Sequence, residues 1–451
     1  MDSYEKTTRI ITVFNYIAGL RNFIDPRKNL LKFICSWIWN ILLIFTISIV
    51  ELYFHLCALK MNMPYNIERV IYVIQYSTHA LGYTCTMIIG FYQSKNVSML
   101  IKQIDEVDEN LRSLGVKIDY HNLFHRVIIV GSIWILNATI IYGILLQCIV
   151  QKTPNLEVIF VTICYTYITN AQSVILYEYN AAIFWLGSRF KMINELLKTL
   201  PSEDNESNAT ESNEEIIFKP SSNFRNQLVV DCSVSACSSE VSQISSMKDI
   251  SNLKKVSPTD GNLRLLQQIR FLHLQVCNVS KMVNQIFNAQ ILIYTFSQLL
   301  YSTIIIYYIY MEIRRKNFIY ELTLKIVYLL DSIIGVLKIA VMSIDCEYAM
   351  RQTDKIISLI HACPLYRESA ELKHETLQFM WQISYTQLED TKSVHYVLSY
   401  SFVRNCFYFV LTYLVIMVQL SQNLTVTDQT TITYETSSVQ TVLQKNATII
   451  A

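Results

Sequence analysis

Seven long apolar stretches run through the chain, and each is long enough to cross a membrane as a helix. Spanning the roughly 30 Å hydrocarbon core takes about 20 residues at 1.5 Å of helical rise per residue. None of the stretches alternates with period two, and all exceed the usual length of a strand. They lie at residues 33–56, 69–91, 127–150, 157–186, 288–310, 322–345 and 396–421. The pattern predicts an all-α membrane protein with seven transmembrane helices.

The last apolar stretch carries two polar side chains seven residues apart, Thr412 and Gln419. Seven residues make almost two helical turns, so both side chains point to the same side of the helix. Unsatisfied polar groups are costly in hydrocarbon, and a polar stripe therefore turns toward protein or water. We predict that this stripe lines a pore or a packed interface.

Composition and charge sharpen this picture. Of the 451 residues, 52% are hydrophobic and only 16% are charged, which is too apolar for an ordinary soluble protein. Cytoplasmic flanks retain Lys and Arg, and 27 of the 37 basic residues lie in four segments that alternate with the spans. These segments are 1–32, 92–126, 187–287 and 346–395. The amino terminus is thus predicted cytoplasmic and the carboxyl terminus extracellular, the reverse of a G-protein-coupled receptor.

The largest cytoplasmic segment, 187–287, has two parts. Residues 201–261 are rich in Ser, Asn, Glu and Asp and are predicted to be a disordered insertion. Residues 262–287 are predicted to form an anchor helix that leads into the fifth span. Its apolar residues recur at spacings of three and four for three heptads, which predicts packing on another helix, of this chain or of a second subunit. They are Leu265, Ile269, Leu272, Val276, Val279, Val283 and Ile286.

The remaining organisation follows from the spans. Residues 1–32 form a cytoplasmic segment in which residues 10–20 favour a short amphipathic helix under the membrane. Spans one to four occupy 33–186, spans five and six occupy 288–345, and the seventh occupies 396–421, followed by an extracellular tail at 422–451. Further cytoplasmic helices are predicted at 96–114, 187–200, 347–362 and 366–394.

The external connections are short, so an external ligand has to bind among the helices. Aromatic residues beside hydrogen-bonding groups in the outer halves of the spans suit polar organic molecules, although Tyr is also the ordinary residue of membrane interfaces. The ligand-binding candidates are Asp331, Tyr328, Gln298, Tyr301, Gln75, Tyr76, His79, Tyr165 and Asn170.

Charges within the spans are the stronger signals, because each is costly there and usually faces a cavity or a partner. Asp331 lies at the depth expected of a pocket, as either a ligand contact or a satisfied packing carboxylate. Lys338 and Glu178 lie deeper, and an ion pair between them would explain both.

Several other classes of function find no support in the sequence. It lacks the phosphate-binding, dinucleotide-binding and hydrolase motifs of enzymes, and no Cys or His spacing predicts a metal site, so we expect no enzyme activity, cofactor or metal. Balanced charge gives no basic footprint for nucleic acid. Asn423 and Asn446 begin glycosylation sequons in the predicted extracellular tail, where they are candidate sites.

The seventh span resembles that of the insect gustatory receptor family. The family signature is Thr-Tyr, five hydrophobic residues, Gln and Phe, and this chain has Thr412, Tyr413, residues 414–418, Gln419 and then Leu420. Leu420 is a departure at the last position. A weaker resemblance extends through 262–293 and the sixth span, and the seven-span architecture covers nearly the whole chain.

This resemblance implies a tetrameric ligand-gated cation channel in the cell membrane of sensory neurons. Each subunit would contribute its seventh helix to a central pore, and cytoplasmic helices would anchor a homotetramer or a heteromer of related receptors. Gln419 would line the pore, and Leu420 would replace the aromatic gate residue, where a Leu ring can still close a pore by dewetting. Thr412 and Tyr413 would pack this helix or couple it to its neighbours.

The implied ligand is a small-molecule tastant, either a sugar or a bitter compound. Position 414 is Leu, whereas the signature of the large sugar-receptor branch reads Thr-Tyr-Glu. The string Thr-Tyr-Leu-Val-Ile resembles the signature of the branch that includes fructose-sensing receptors, although bitter receptors have similar signatures. Three alternatives remain. An odorant receptor would share the fold, a G-protein-coupled receptor would need an external amino terminus, and a secondary transporter would show inverted repeats or broken helices.

Overall fold

The computed structural model describes residues 3–21, 30–60, 66–152, 156–200, 258–314, 322–362, 369–390 and 401–419. These residues are almost entirely helical and contain no strand. The helices are α1 (Tyr4–Thr7), α2 (Arg9–Ile17), α3 (Leu30–Lys60), α4 (Asn66–Ser113), α5 (His121–Lys152), α6 (Leu156–Lys198), α7 (Pro258–Arg314), α8 (Leu322–Ala362), α9 (Ala370–Asp390) and α10 (Ser401–Gln419). Most of the predicted insertion and the whole tail with Asn423 and Asn446 lie outside the described residues.

Six of these helices, α3, α5, α6, α7, α8 and α10, are long and apolar enough to cross a membrane. The predicted second span lies in α4, where Ser77, Thr78 and His79 interrupt the apolar sequence. The chain is a multi-pass helical membrane protein.

Four of the helices are more than twice as long as the roughly 20 residues that a membrane crossing requires. α4 has 48 residues, α6 has 43, α7 has 57 and α8 has 41. At 1.5 Å per residue, 57 residues extend about 85 Å, roughly twice the full thickness of a bilayer. The cytoplasmic helices predicted at 96–114, 187–200 and 347–362 are therefore continuations of the spans rather than separate elements.

The core of the bundle is built around α6 and α7. α4 lies along α7, while α6 contacts α5, α7 and α8. Six of the seven heptad residues of α7 are buried inside the chain, with Ile269 and Val283 completely covered, and Leu265 is partly buried. Facing them are side chains such as Ile104 on α4 and Ile193 on α6. This burial favours the first of the two alternatives, packing within the chain, because these side chains leave little apolar surface for a second subunit.

The amino-terminal segment enters the bundle instead of lying only on its surface. Ile11 and Leu20 are buried, whereas Ile10 and Ile17 on the other side of the segment remain exposed. The backbone of Leu20 lies against Gly90 of α4, where any side chain on residue 90 would overlap the Leu20 carbonyl.

The buried position of the amino-terminal segment corrects one sequence-based prediction. The Arg21 guanidinium, buried with its segment, lies 3.0 Å from the Glu178 carboxylate. The predicted pair between Glu178 and Lys338 is therefore wrong. The Lys338 ammonium lies over the Trp134 ring, 5.5 Å from its centroid. Spacing along the spans could not reveal Arg21, because it reaches Glu178 from outside the spans.

A buried ionic cluster holds together the part of the bundle that is predicted to be cytoplasmic. The Asp108 carboxylate of α4 accepts hydrogen bonds from Nε of Arg189 at 2.6 Å and from Nε1 of Trp185 at 3.3 Å, both on α6. The Tyr120 hydroxyl, just before α5, also donates to Asp108. Burial and the Asp108 carboxylate raise the pKa of Tyr120 well above its usual range, so this hydroxyl keeps its proton. One carboxylate thus joins three consecutive helices.

We predict that Asp108→Asn lowers the free energy of unfolding by about 3–5 kcal/mol, because Arg189 would keep its charge in a dry site without a counterion. Thermal unfolding of the detergent-solubilised protein measures the effect. Glu109→Gln is the matched control: Glu109 pairs with Arg112 on the exposed surface, where ion pairs contribute only about 0–1 kcal/mol. Equal stability of the two variants would contradict the assignment of Asp108 as the organising group.

Candidate ligand cavity and pore helix

Five helices converge on one polar cavity within the membrane part of the bundle. It is lined by His79 of α4, Tyr142 of α5, Thr169 and Asn170 of α6, Tyr294, Gln298 and Tyr301 of α7, and Asp331, Gly335 and Lys338 of α8. Its volume is about 20 Å³, room for about one water molecule. Any larger ligand has to displace side chains to enter.

Asp331 is the centre of this cavity. Its Oδ1 accepts a hydrogen bond from the Tyr142 hydroxyl at 3.2 Å, and its Oδ2 accepts one from the Tyr301 hydroxyl at 3.2 Å. The Tyr142 oxygen also lies 3.3 Å from Oγ1 of Thr169. The carboxylate is thus held by donors from two other helices, as expected for a charge at membrane depth.

His79 has unused hydrogen-bonding capacity in the same cavity. The side chain is 5% exposed, and neither ring nitrogen has a hydrogen-bond partner in the part of the chain that the structure describes. Its ring packs edge-on against Tyr301 and Tyr165, with centroids 5.2 Å and 6.0 Å away. A buried polar group without a partner is costly, and a ligand with a hydroxyl or amine would remove that cost.

Gly335 creates the space that Gln298 occupies. A methyl group at position 335 would overlap the amide of Gln298. Gly335 also lies four residues after Asp331, on the same face of α8. Absence of a side chain therefore lets a polar group of α7 reach the cavity beside the carboxylate.

The sequence-predicted ligand residues divide into three groups. Asp331, Gln298, Tyr301, His79 and Asn170 line the cavity, and Tyr165 touches it through the His79 ring. Tyr328 instead packs in a neighbouring cluster with Ile141 and Val327. The side chains of Gln75 and Tyr76 lie outside the part of the structure that is described.

Sequence reasoning missed Thr169, Tyr294 and Gly335 as cavity residues. A usable signal existed for Gly335, since the chain has only 9 glycines and this one falls one helical turn from a membrane-embedded Asp. Thr169 and Tyr294 gave no such signal, because hydroxyls and aromatic rings are common throughout the spans.

α10 is the most exposed of the membrane helices. Only 6% of its apolar core segment is buried within the chain. Leu414, Met417 and Val418 pack against Ile304 and Tyr307 of α7 and their neighbours. The helix is therefore held by one face alone.

The polar residues of α10 lie on the opposite face. At 100° per residue, Thr412 and Gln419 lie within about 20° of each other and point away from the face that packs on α7. Both are exposed, and the Thr412 hydroxyl donates to the Tyr408 carbonyl at 2.8 Å. The Tyr413 ring stacks on Phe409 with centroids 4.4 Å apart. Leu420 lies outside the described residues.

Comparison with known proteins agrees with this architecture. The family model described as 7tm Chemosensory receptor matches residues 8–424. No curated protein sequence matches the chain.

Solved structures of insect olfactory receptor OR5 from Machilis hrabei have a similar fold. The first has a TM-score of 0.59 at 12% identity, and the match covers 92% of this chain and 98% of the receptor. OR5 in complex with eugenol has a TM-score of 0.52 at 11% identity, with the same coverage. The family match spans almost the entire chain, and the protein therefore belongs to the 7tm chemosensory receptor family, which is not a family of enzymes.

Proposed function

We propose that this protein is a gustatory receptor of sensory neurons that acts as a ligand-gated, non-selective cation channel. A tastant, either a sugar or a bitter compound, opens it from the outside, and the amino terminus lies in the cytoplasm. Family membership supports a chemosensory role. The OR5 complex with eugenol supports the capture of a small molecule by a bundle of this fold.

The exposed polar stripe of α10 is the observation that carries the channel proposal. The Thr412 hydroxyl is satisfied within its own helix, but lipid cannot satisfy the Gln419 amide on the same face, and the rest of the subunit lies on the other side of the helix. Copies of α10 arranged around a shared axis would turn these side chains toward one another and toward water. A ring of Gln419 amides offers oxygen atoms to a passing cation, and Leu420, one residue further, is the proposed gate.

α7 provides a direct path from ligand to pore. Tyr301 lines the cavity, and Tyr307, six residues or about 9 Å further along the helix, belongs to the cluster that packs against α10. Opening the cavity to admit a ligand requires Tyr301 to move relative to Asp331. Such a movement shifts the surface on which Leu414 and Met417 rest, and this shift is the proposed gating step.

An exposed apolar face on α9 supports assembly in the cytoplasmic layer. Leu377, Trp381 and Tyr385 follow each other at intervals of four residues and are 45%, 78% and 65% exposed. A contiguous apolar stripe of this kind usually marks a contact between proteins. Because the heptad face of α7 is already buried within the chain, we assign the contacts of a tetramer to this stripe on α9.

A second candidate is an odorant-receptor-type channel subunit, which the structural similarity to OR5 favours. Such a subunit would give current only together with a co-receptor. A G-protein-coupled receptor is the weaker alternative, and an amino-terminal epitope detected on unpermeabilised cells would support it.

Recording current from cells that express this chain alone, across a panel of sugars and bitter compounds, tests the proposal. We expect a cation current in response to at least one compound. Current that depends on a co-expressed receptor would favour the odorant-type subunit, and ligand-evoked signalling without current would reject the channel.

Asp331→Asn should raise the half-maximal ligand concentration about 10- to 100-fold, the range expected when a hydrogen bond to a charged group is lost. Single-channel conductance should stay unchanged, since Asp331 lies away from α10. Asp354→Asn makes the same charge change on the cytoplasmic part of α8 and should leave ligand potency as it is. If Asp331→Asn leaves the ligand potency unaltered, the cavity around Asp331 is not the ligand-binding site.

Gln419→Glu should increase the permeability to divalent relative to monovalent cations, because a ring of carboxylates attracts them more strongly than a ring of amides. Reversal potentials in mixed ionic solutions measure this ratio. Met417→Leu, on the face that packs against α7, serves as the control and should not alter it. If both variants conduct like the wild type, Gln419 does not line the pore.

The mass of the detergent-solubilised protein should be about 210 kDa, corresponding to four copies of the 52.5 kDa chain. Trp381→Ser should shift this mass toward smaller species, because it removes the largest apolar contact of the α9 stripe. Native mass spectrometry provides the measurement. Trp37→Ser changes the same residue type on the membrane helix α3 and should preserve the tetramer. If only this control variant loses the tetramer, the α9 stripe is not the interface.

A further inference from the structure

A wide groove opens where α5 begins, on the predicted cytoplasmic side of the bundle. Residues 116–130 form one wall, the last turns of α6 form the other, and Tyr348 of α8 closes one end. Its volume is about 1100 Å³, slightly above the roughly 300–1,000 Å³ range for pockets that hold small molecules. It is separate from the cavity around Asp331 and shares no lining residue with it.

Basic side chains dominate the lining of this groove. Lys117, Arg126, Arg189, Lys191 and Lys198 line it, against two acidic residues. Three of the five already have partners. They are Arg189 with Asp108, Arg126 with Asp345 and Lys198 with Glu195.

Two lysines remain without an ion pair among the described residues. Lys117 lies in the turn before α5 and Lys191 lies on α6, and both are exposed. Asp119, two residues after Lys117, accepts a hydrogen bond from the His121 backbone at 2.8 Å and so satisfies the first N–H group of α5. Two ammonium groups from different walls thus line the groove with no ion pair among the described residues, and such a site favours an anion.

An apolar track leads from the groove along the membrane surface of α5. Ile129 lines the groove and is 55% exposed, and Ile133 and Leu136 follow on the same face with 62% and 63%. All three belong to the span predicted at residues 127–150. The site therefore combines a basic region at the membrane boundary with an apolar surface that enters the hydrocarbon.

We propose that this groove binds an anionic phospholipid of the cytoplasmic leaflet. The phosphate-bearing headgroup contacts Lys117 and Lys191, and an acyl chain lies along Ile129 and Ile133. Basic pockets between transmembrane helices on the cytoplasmic side recognise such headgroups by charge. The inference rests on the proposed orientation, because anionic lipids are concentrated in the cytoplasmic leaflet.

Binding is measured with the purified full-length protein inserted in phosphatidylcholine nanodiscs. The same nanodiscs contain a fluorescent phosphatidylinositol 4,5-bisphosphate as the probe. The double variant Lys117→Gln/Lys191→Gln should bind about 30-fold more weakly, since each basic residue near a charged membrane contributes about a factor of five. Lys117→Arg/Lys191→Arg should keep the affinity. The double variant Lys355→Gln/Lys373→Gln removes the same charge from exposed cytoplasmic positions on α8 and α9 and should also bind normally.

Three outcomes would overturn the proposal: wild-type affinity of the Lys117/Lys191 glutamine variant, an equal loss in the Lys355/Lys373 control, or equal affinity for soluble inositol 1,4,5-trisphosphate. The last would identify a free phosphate compound as the ligand. The assay needs no channel current. Intact lipid binding without ligand-evoked current would therefore count against the proposed function alone.

Discussion

Hydrocarbon offers no hydrogen-bond partner, and most features of this structure follow from that constraint. Hydroxyl groups within the spans bond back to their own helices, as Thr86 does to the Gly82 carbonyl and Ser302 to that of Gln298. Asp331 cannot be satisfied locally and recruits tyrosines from two other helices. The polar cavity is therefore where the bundle concentrates groups that one helix cannot satisfy alone, and the His79 ring nitrogens there have no hydrogen-bond partner among the described residues.

Long helices connect this cavity to the heptad face of α7 and to the surface that supports α10. α7 carries first the buried heptad face, in the part predicted to be cytoplasmic, then the cavity residues, and finally the surface that supports α10. A continuous helix transmits displacement and rotation over its length better than two helices joined by a loop. The ionic cluster at Asp108 links the ends of α4 and α6 to the residue before α5, so the proposed gating movement would be concentrated in the membrane part.

The sequence predicted the helical class and most of the spans, because a long apolar run has few alternatives. It also identified five residues of the cavity, since Asp331, Gln298 and His79 are costly in a span unless they face something polar. Contacts between distant segments could not be predicted. Spacing along the spans predicted Lys338 as the partner of Glu178. The actual partner is Arg21, which the amino-terminal segment brings into the bundle. The role of Gly335 could not be predicted for the same reason, because it depends on the contact with Gln298 of α7.

The small volume of the cavity has a consequence for sensitivity. In the proposed receptor, a cavity that holds about one water molecule would bind a tastant only in the fraction of molecules whose helices have already parted. The apparent dissociation constant exceeds the intrinsic one by the inverse of that fraction. Such a receptor responds to abundant compounds rather than to traces, and its threshold is set by the stiffness of the helix bundle as much as by its contacts with the tastant.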